Sequence, residues 1–156
     1  MRWELSEKFH LTLKFLGDVE ESKLRALSQK LQENVSSVSD FSITLSTLGA
    51  FPFIQHPKIL WIGAVQHEQL QLLAATVDET ASIFGIAREQ RPFHAHVTLG
   101  RVKQDRRVHG LTEVLKSIMF QPIIVECNEV QVVASQLRPF GSVYSTFHSI
   151  RFKSLR

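Results

Sequence analysis

Two short segments of the chain pair a histidine with a threonine in the same order. One is His10-Leu11-Thr12-Leu13 and the other is His96-Val97-Thr98-Leu99. Because side chains alternate between the two sides of a β-strand, the histidine and threonine of each copy share one side, and the apolar residues share the other. The repetition predicts two strands that each present an imidazole and a hydroxyl to a common groove.

An imidazole pair of this kind suits the opening of a cyclic phosphodiester. The ordinary pKa of histidine is about 6.5, so one ring can accept a proton from water while the other protonates the departing ribose oxygen. The water attacks phosphorus in line with that oxygen, which requires the two rings to lie on opposite sides of the phosphate. The hydroxyls of Thr12 and Thr98 can donate to the non-bridging oxygens, where negative charge accumulates. The sequence offers no carboxylate cluster for a metal ion, so no cofactor is expected.

The composition fits one globular domain spanning residues 1–156. The chain is 44% hydrophobic and 21% charged, and no apolar run approaches the roughly eighteen residues that a membrane span needs. Charged residues lie before Phe9, where a secretory signal would need an apolar run. A single cysteine, Cys127, cannot form an internal disulfide. These features predict a cytoplasmic protein that has no contact with a membrane.

The net charge of +3 is compatible with a substrate that carries phosphate. Positive charge concentrates in residues 101–107, directly after the second histidine segment. Such a run is typical of a solvated loop when it stands alone. Its position beside a segment with catalytic residue types favours a role near phosphate.

Residue spacings along the chain predict an α+β domain with largely antiparallel sheets. Helices are predicted from Glu20 to about Val35, from Glu68 to Phe84, and briefly after Gly110. Strands are predicted over residues 9–15, 41–45, 59–65, 95–100, 123–137 and 143–152. Pro52 and Pro57 are placed in a loop, and residues 138–141 in a turn.

Two longer stretches carry a resemblance to a known family. FHLTLKFLG at 9–17 and PFHAHVTLGR at 92–101 resemble the paired His-x-Thr motifs of the RNA 2',3'-cyclic phosphodiesterases. This LigT-like family is also called 2'-5' RNA ligase and belongs to the two-histidine phosphoesterase superfamily. Residues 57–63 resemble its third strand, and residues 135–144 resemble its C-terminal S-x-L-x-P-x-G-x-x-Y stretch. The similarity therefore extends over nearly the whole chain.

The resemblance implies both a fold and an activity. The fold is bilobed, with two mainly antiparallel sheets around a V-shaped central cleft, helices on the outside, and one histidine strand from each lobe. The activity is metal-independent hydrolysis of RNA 2',3'-cyclic phosphate ends to 2'-phosphomonoesters, with a reversible 2'-5' ligation of tRNA fragments as a secondary reaction. His10 and His96 would be the catalytic pair, with Thr12 and Thr98 on the substrate phosphate. The residues alone do not assign acid and base; analogy makes His10 the acid and His96 the base.

Two further positions follow from the resemblance. Arg101 and Phe15 each lie five residues beyond a motif histidine, where family members hold the phosphate and the terminal base. Arg101 is therefore expected to bind the substrate phosphate, and Phe15 to contact the base or ribose by stacking. Phe15 fits a core position equally well, because it lies in an apolar segment predicted to be a strand.

One departure from the family concerns the N-terminus. Family members carry a strand and a helix before the first motif, whereas only nine residues precede His10 in this sequence. The first lobe is therefore expected to lack that strand and helix and to expose a sheet edge. Either copies of the chain are expected to associate through such an edge, or the stability of the chain is expected to be reduced.

Two other interpretations are kept open. His94 and His96 form a His-x-His pair that could hold zinc together with His10, which would give a metal-dependent hydrolase. The chain could instead bind RNA ends without catalysis, if the short N-terminus inactivates it. Surface or structural roles are expected for the remaining histidines, namely His56, His67, His109 and His148.

Overall fold

A computed structural model of the chain describes residues 1–65, 67–102, 110–139 and 141–154. In chain order its elements are β1 (Arg2–Trp3), a 3-10 helix (Ser6–Lys8), α1 (Glu21–Val35), β2 (Phe41–Phe53), β3 (His56–Ala64), α2 (Glu68–Ile83), β4 (His96–Arg101), α3 (Leu111–Ser117), β5 (Ile123–Cys127), β6 (Glu129–Arg138) and β7 (Gly141–Arg151). The predicted α+β class with antiparallel sheets is confirmed.

The first of two compact units draws on residues 1–12, 43–67 and 93–125. Its sheet has the strand order β1-β4-β3-β2-β5, so β4 lies between β1 and β3. On one side of the sheet, Leu111 of α3 is buried with Ala50 of β2 and Leu60 of β3. That side is closed by an apolar core, which leaves the other side of the same strands for polar groups.

The second unit draws on residues 13–42, 68–92 and 126–156. It contains α1, α2 and the β6–β7 hairpin, and α1 packs on both α2 and β7. Thr80, which is buried within it, receives a hydrogen bond from the Asn34 side-chain amide at 2.9 Å and donates one to the Thr76 carbonyl at 2.7 Å. The Thr80 hydroxyl between the helices is therefore satisfied both as donor and as acceptor.

The strand predicted over residues 9–15 is wrong except at one residue. Leu11 forms an isolated antiparallel bridge with Val97 of β4, and no strand surrounds it. Alternation of side chains cannot tell a fully paired strand from an extended segment with one paired residue.

Beyond Leu11 the pairing with β4 does not continue, and Lys14 has its partners in the second unit. Lys14 Nζ donates to the Asp78 carboxylate at 2.6 Å and to the Ala87 carbonyl at 2.8 Å. The Lys14 side chain is 4% exposed, so its ammonium group depends on these partners. Lys14 thus finds its partners in the second unit and not on β4.

Two other predicted boundaries are corrected. Pro52 and Pro57 do not lie in a loop but face each other at the closed end of the β2–β3 hairpin. A register shift next to Pro52 suits residues that have no N–H to donate. The single strand predicted over 123–137 is two strands, β5 and β6, which belong to different sheets and are separated by Asn128.

The expectation of one histidine segment from each lobe is also wrong. His10 and His96 both belong to the first unit, because the bridge at Leu11 ties the first motif to the strand of the second. Within this sheet β1 is an edge strand, and its Trp3 is 63% exposed. Association of copies through this edge stays a prediction.

Candidate active site

The bridge between Leu11 and Val97 determines how the two motifs meet. In an antiparallel pair, neighbours of the bridged residues lie across from each other, so His10 lies across from Thr98 and Thr12 across from His96. Directly opposed side chains share one side of the sheet, with β-carbons about 5 Å apart. The four side chains therefore form one surface, the motif face, opposite the side covered by α3.

Arg101 joins the motif face because β4 contains a bulge. Thr98 pairs with Trp61 and Gly100 pairs with Leu60, so Leu99 is an extra residue on β4. Regular alternation would turn residue 101 away from residue 98, but the extra residue restores it to the same side. The prediction that placed Arg101 with the motif residues did not anticipate this bulge.

A carboxylate holds the Arg101 side chain. Arg101 Nε lies 3.5 Å from Glu4 Oε1, and Arg2 Nη2 lies 4.0 Å from the same oxygen. Glu4 is itself tied to the bulge, because its backbone N–H donates to the Leu99 carbonyl at 2.9 Å. With Nε engaged, the two terminal nitrogens of the half-exposed guanidinium are the donors that an anion can use.

Each motif histidine is held by an equivalent contact with the backbone carbonyl two residues earlier. His10 Nδ1 lies 2.7 Å from the Lys8 carbonyl, and His96 Nδ1 lies 2.8 Å from the His94 carbonyl. A carbonyl oxygen only accepts, so Nδ1 carries the proton in each ring. Each neutral ring therefore presents Nε2 as its basic nitrogen. This contact could not be predicted from the sequence, because a residue of any type two positions earlier supplies the carbonyl.

The surroundings of the two rings differ. His10 is exposed, whereas His96 is partly buried against the rings of Phe51 and His94. Burial lowers the pKa of His96, the bond to the His94 carbonyl opposes this, and repulsion from His94 and His10 adds to it. His96 is therefore mostly neutral near pH 7.

Phe15 is not a core residue. Its side chain is 82% exposed, it lies in no strand, and it belongs to the second unit. The core interpretation was wrong because residues 9–15 do not form the apolar strand on which it rested. Of the basic run, residues 103–107 lie outside the described residues, as does His109.

The zinc alternative finds no support in the site. Within the described ranges, no three His, Cys, Asp or Glu side chains are grouped in a way that could hold a metal ion. Among the same residues, no helix has the length and apolar character that crossing a membrane requires.

Comparison with known proteins identifies relatives along most of the chain. Residues 6–138 match the family described as the 2'-5' RNA ligase superfamily. The RNA 2',3'-cyclic phosphodiesterase of Thermotoga maritima is 30% identical over 151 residues, which cover 97% of this chain and 79% of the relative. That of Archaeoglobus fulgidus is 34% identical over 139 residues, covering 88% and 76%.

Solved structures agree on the fold. The E. coli LigT complex with 3'-AMP superimposes with a TM-score of 0.75 at 24% identity, covering 97% of this chain and 80% of that one. The protein TT0787 of Thermus thermophilus gives a TM-score of 0.79 at 21% identity, covering 99% and 84%. The fold is that of the LigT-like phosphoesterases.

Proposed function

Because the chain belongs to the 2'-5' RNA ligase superfamily, we propose that it is a hydrolase that opens 2',3'-cyclic phosphates at RNA ends to 2'-phosphomonoesters. Relatives named RNA 2',3'-cyclic phosphodiesterase support this activity. The observation that carries it is the motif face, where two imidazoles with basic Nε2 atoms lie across from two threonine hydroxyls.

His96 is the base in this proposal. Its lowered pKa leaves Nε2 unprotonated at neutral pH, so it can take a proton from the attacking water. The water oxygen bonds to phosphorus while the bond from phosphorus to the ribose O3' breaks. His10, which is exposed, is the acid and gives its proton to O3'. Proton return through solvent restores both rings, and the phosphate stays on O2'.

The other residues of the motif face bind the phosphate. Thr12 and Thr98 each lie across from a histidine and donate to the non-bridging oxygens as their charge grows. Arg101 adds a positive charge on the same side of the sheet. The exposed ring of Phe15 stacks on the terminal base, a role that comes from the family resemblance alone.

The same arrangement accounts for two finer features of the proposal. No metal ion is needed, because the acid and the base supply both proton transfers. An RNA 5'-hydroxyl that replaces water would be activated by His96 in the same way, which gives 2'-5' ligation of tRNA fragments as a secondary reaction. The single cysteine, Cys127, which cannot form an internal disulfide, supports a cytoplasmic location.

The direct test is incubation with an oligoribonucleotide that ends in a 2',3'-cyclic phosphate, in buffer containing EDTA. The expected product is a 2'-phosphomonoester, identified by its resistance to an enzyme specific for 3'-phosphates. Turnover that stops in EDTA and returns with zinc would favour a metal-dependent hydrolase. Tight binding with no product would favour an RNA-end-binding protein and would refute the catalytic proposal.

A further inference from the structure

An aromatic cluster adjoins His96 on the motif face, and the mechanism above does not use it. Phe51 of β2 and Trp61 of β3 lie on this side of the sheet, because Trp61 pairs with Thr98 and Phe51 pairs with Ile59, two positions along β3. Their rings are 5.3 Å apart between centroids. They form a wall of two aromatic side chains beside the second motif.

The indole of Trp61 occupies a recess made by glycines. Gly49 faces Trp61 across the β2–β3 pair, and a β-carbon added there would overlap the indole ring. A β-carbon at Gly63 would lie 2.8 Å from Trp61 Cζ3 and 2.6 Å from Thr47 Oγ1. Only glycine at both positions leaves the indole room to lie against the strands.

The wall contacts His96 by two routes. Phe51 meets the His96 ring edge to face, with centroids 4.9 Å apart and planes at 83°. Trp61 meets the His94 ring at 4.6 Å and 64°, and His94 supplies the carbonyl that holds His96 Nδ1. The contact with Phe51 restrains the plane of the His96 imidazole. The contact of Trp61 with His94 restrains the residue whose carbonyl accepts from His96 Nδ1.

We infer that Phe51 and Trp61 are positioning residues, which hold the His96 imidazole in one rotamer and one tautomer with Nε2 directed to the phosphate. Neither ring takes part in proton transfer. The contacts of the wall are with His94 and His96, so it acts on the second motif. Its kinetic consequence rests on the proposed function, whereas its effect on the imidazole does not.

The test compares Phe51→Leu with the control Phe53→Leu, which removes an exposed ring from the same strand. Nitrogen-15 NMR of the His96 ring should show one Nδ1–H tautomer in the wild type and a mixture in Phe51→Leu. The kcat for the cyclic-ended oligoribonucleotide should fall roughly tenfold to a hundredfold, with KM within about twofold. Phe53→Leu should leave both readouts unchanged.

Further variants keep the inference falsifiable. Phe51→Tyr keeps the ring, so it should show the single tautomer and the kcat of the wild type. If Phe51→Leu does not fold, Trp61→Phe replaces it and should show a smaller change in the same two measurements. A single tautomer and full kcat in both Phe51→Leu and Trp61→Phe would overturn the inference. Failure of the wild type to hydrolyse RNA would refute the proposed function, while the tautomer measurement would still decide the positioning role.

Discussion

The two copies of the histidine–threonine motif are nearly identical in sequence but differ in how the fold holds them. His96 begins a strand with neighbours on both sides and lies against aromatic rings. His10 lies on a segment with one bridged residue and is exposed. Each ring nevertheless has its Nδ1 held by the carbonyl two residues earlier.

This difference separates what the motif specifies from what the fold adds. In both copies the backbone contact occupies Nδ1 and leaves Nε2 available for the substrate. An acid and a base both need one ring nitrogen that can reach the substrate. Burial then lowers the pKa of His96, and this favours it as the base. In the proposed mechanism, the partly buried copy accepts a proton, while the other copy stays open to solvent.

The largest expected effect comes from removing either ring. His10→Ala and His96→Ala should each lower kcat at least roughly a hundredfold, because each removes one proton-transfer group. Release of phosphomonoester from a cyclic-ended oligoribonucleotide measures this, with the exposed His56 changed to Ala as the control. Undiminished turnover in either variant would show that its histidine does not transfer a proton, so that only one of the two motifs would be catalytic.

A smaller loss is expected when the hydroxyls are removed. Thr12→Val and Thr98→Val should each lower kcat roughly tenfold, which corresponds to about 1.4 kcal/mol, because each hydroxyl supplies one neutral hydrogen bond. The same assay applies, with the control Thr47→Val on β2, which is separated from β4 by β3. A loss as large as that from a histidine variant would assign that threonine a role in proton transfer.

The pH dependence should distinguish the two rings. A base works when it is unprotonated, so kcat/KM should rise with pH as His96 loses its proton. Because burial lowers the pKa of His96, the midpoint of this rise should lie below about pH 6.5, although a coupled pair gives apparent values that belong to both rings. A midpoint above the ordinary histidine value would argue against His96 as the base.

The smallest effect is expected at Glu4, which supports Arg101. Glu4→Gln keeps an oxygen near Arg101 but removes the charge, and an ion pair this exposed contributes little. KM should change by less than about threefold, with kcat unaffected. The control is Glu7→Gln, an exposed carboxylate in the 3-10 helix. A large fall in kcat would place Glu4 in the chemistry itself.

The sequence predicted those parts of the molecule that follow from periodicity. The helices α1 and α2 were placed within a residue or two, because apolar residues at helical spacing reflect the buried side. The sides on which His96 and Thr98 lie followed from strand alternation. Both inferences need only local spacing, so a single sequence suffices.

The missed features depend on contacts between distant residues. The bridge at Leu11 joins residues far apart in the sequence, and so does the contact between Lys14 and Asp78. The wall of Phe51 and Trp61 was missed because their register across the β2–β3 hairpin is set by irregular pairing. The choice between the core and the base site was left open for Phe15, because the end of the first motif segment could not be predicted.

The extra residue at Leu99 constrains how this strand can vary. Thr98 and Arg101 are separated by an odd number of steps, which a regular strand would place on opposite sides. A deletion or insertion of one residue between them would therefore turn Arg101 to the other side of the sheet, even if each side chain were kept. Conservation of length in this stretch should be stricter than conservation of residue type, and a search for distant relatives gains by requiring the His-x-Thr-x-x-Arg interval as a unit.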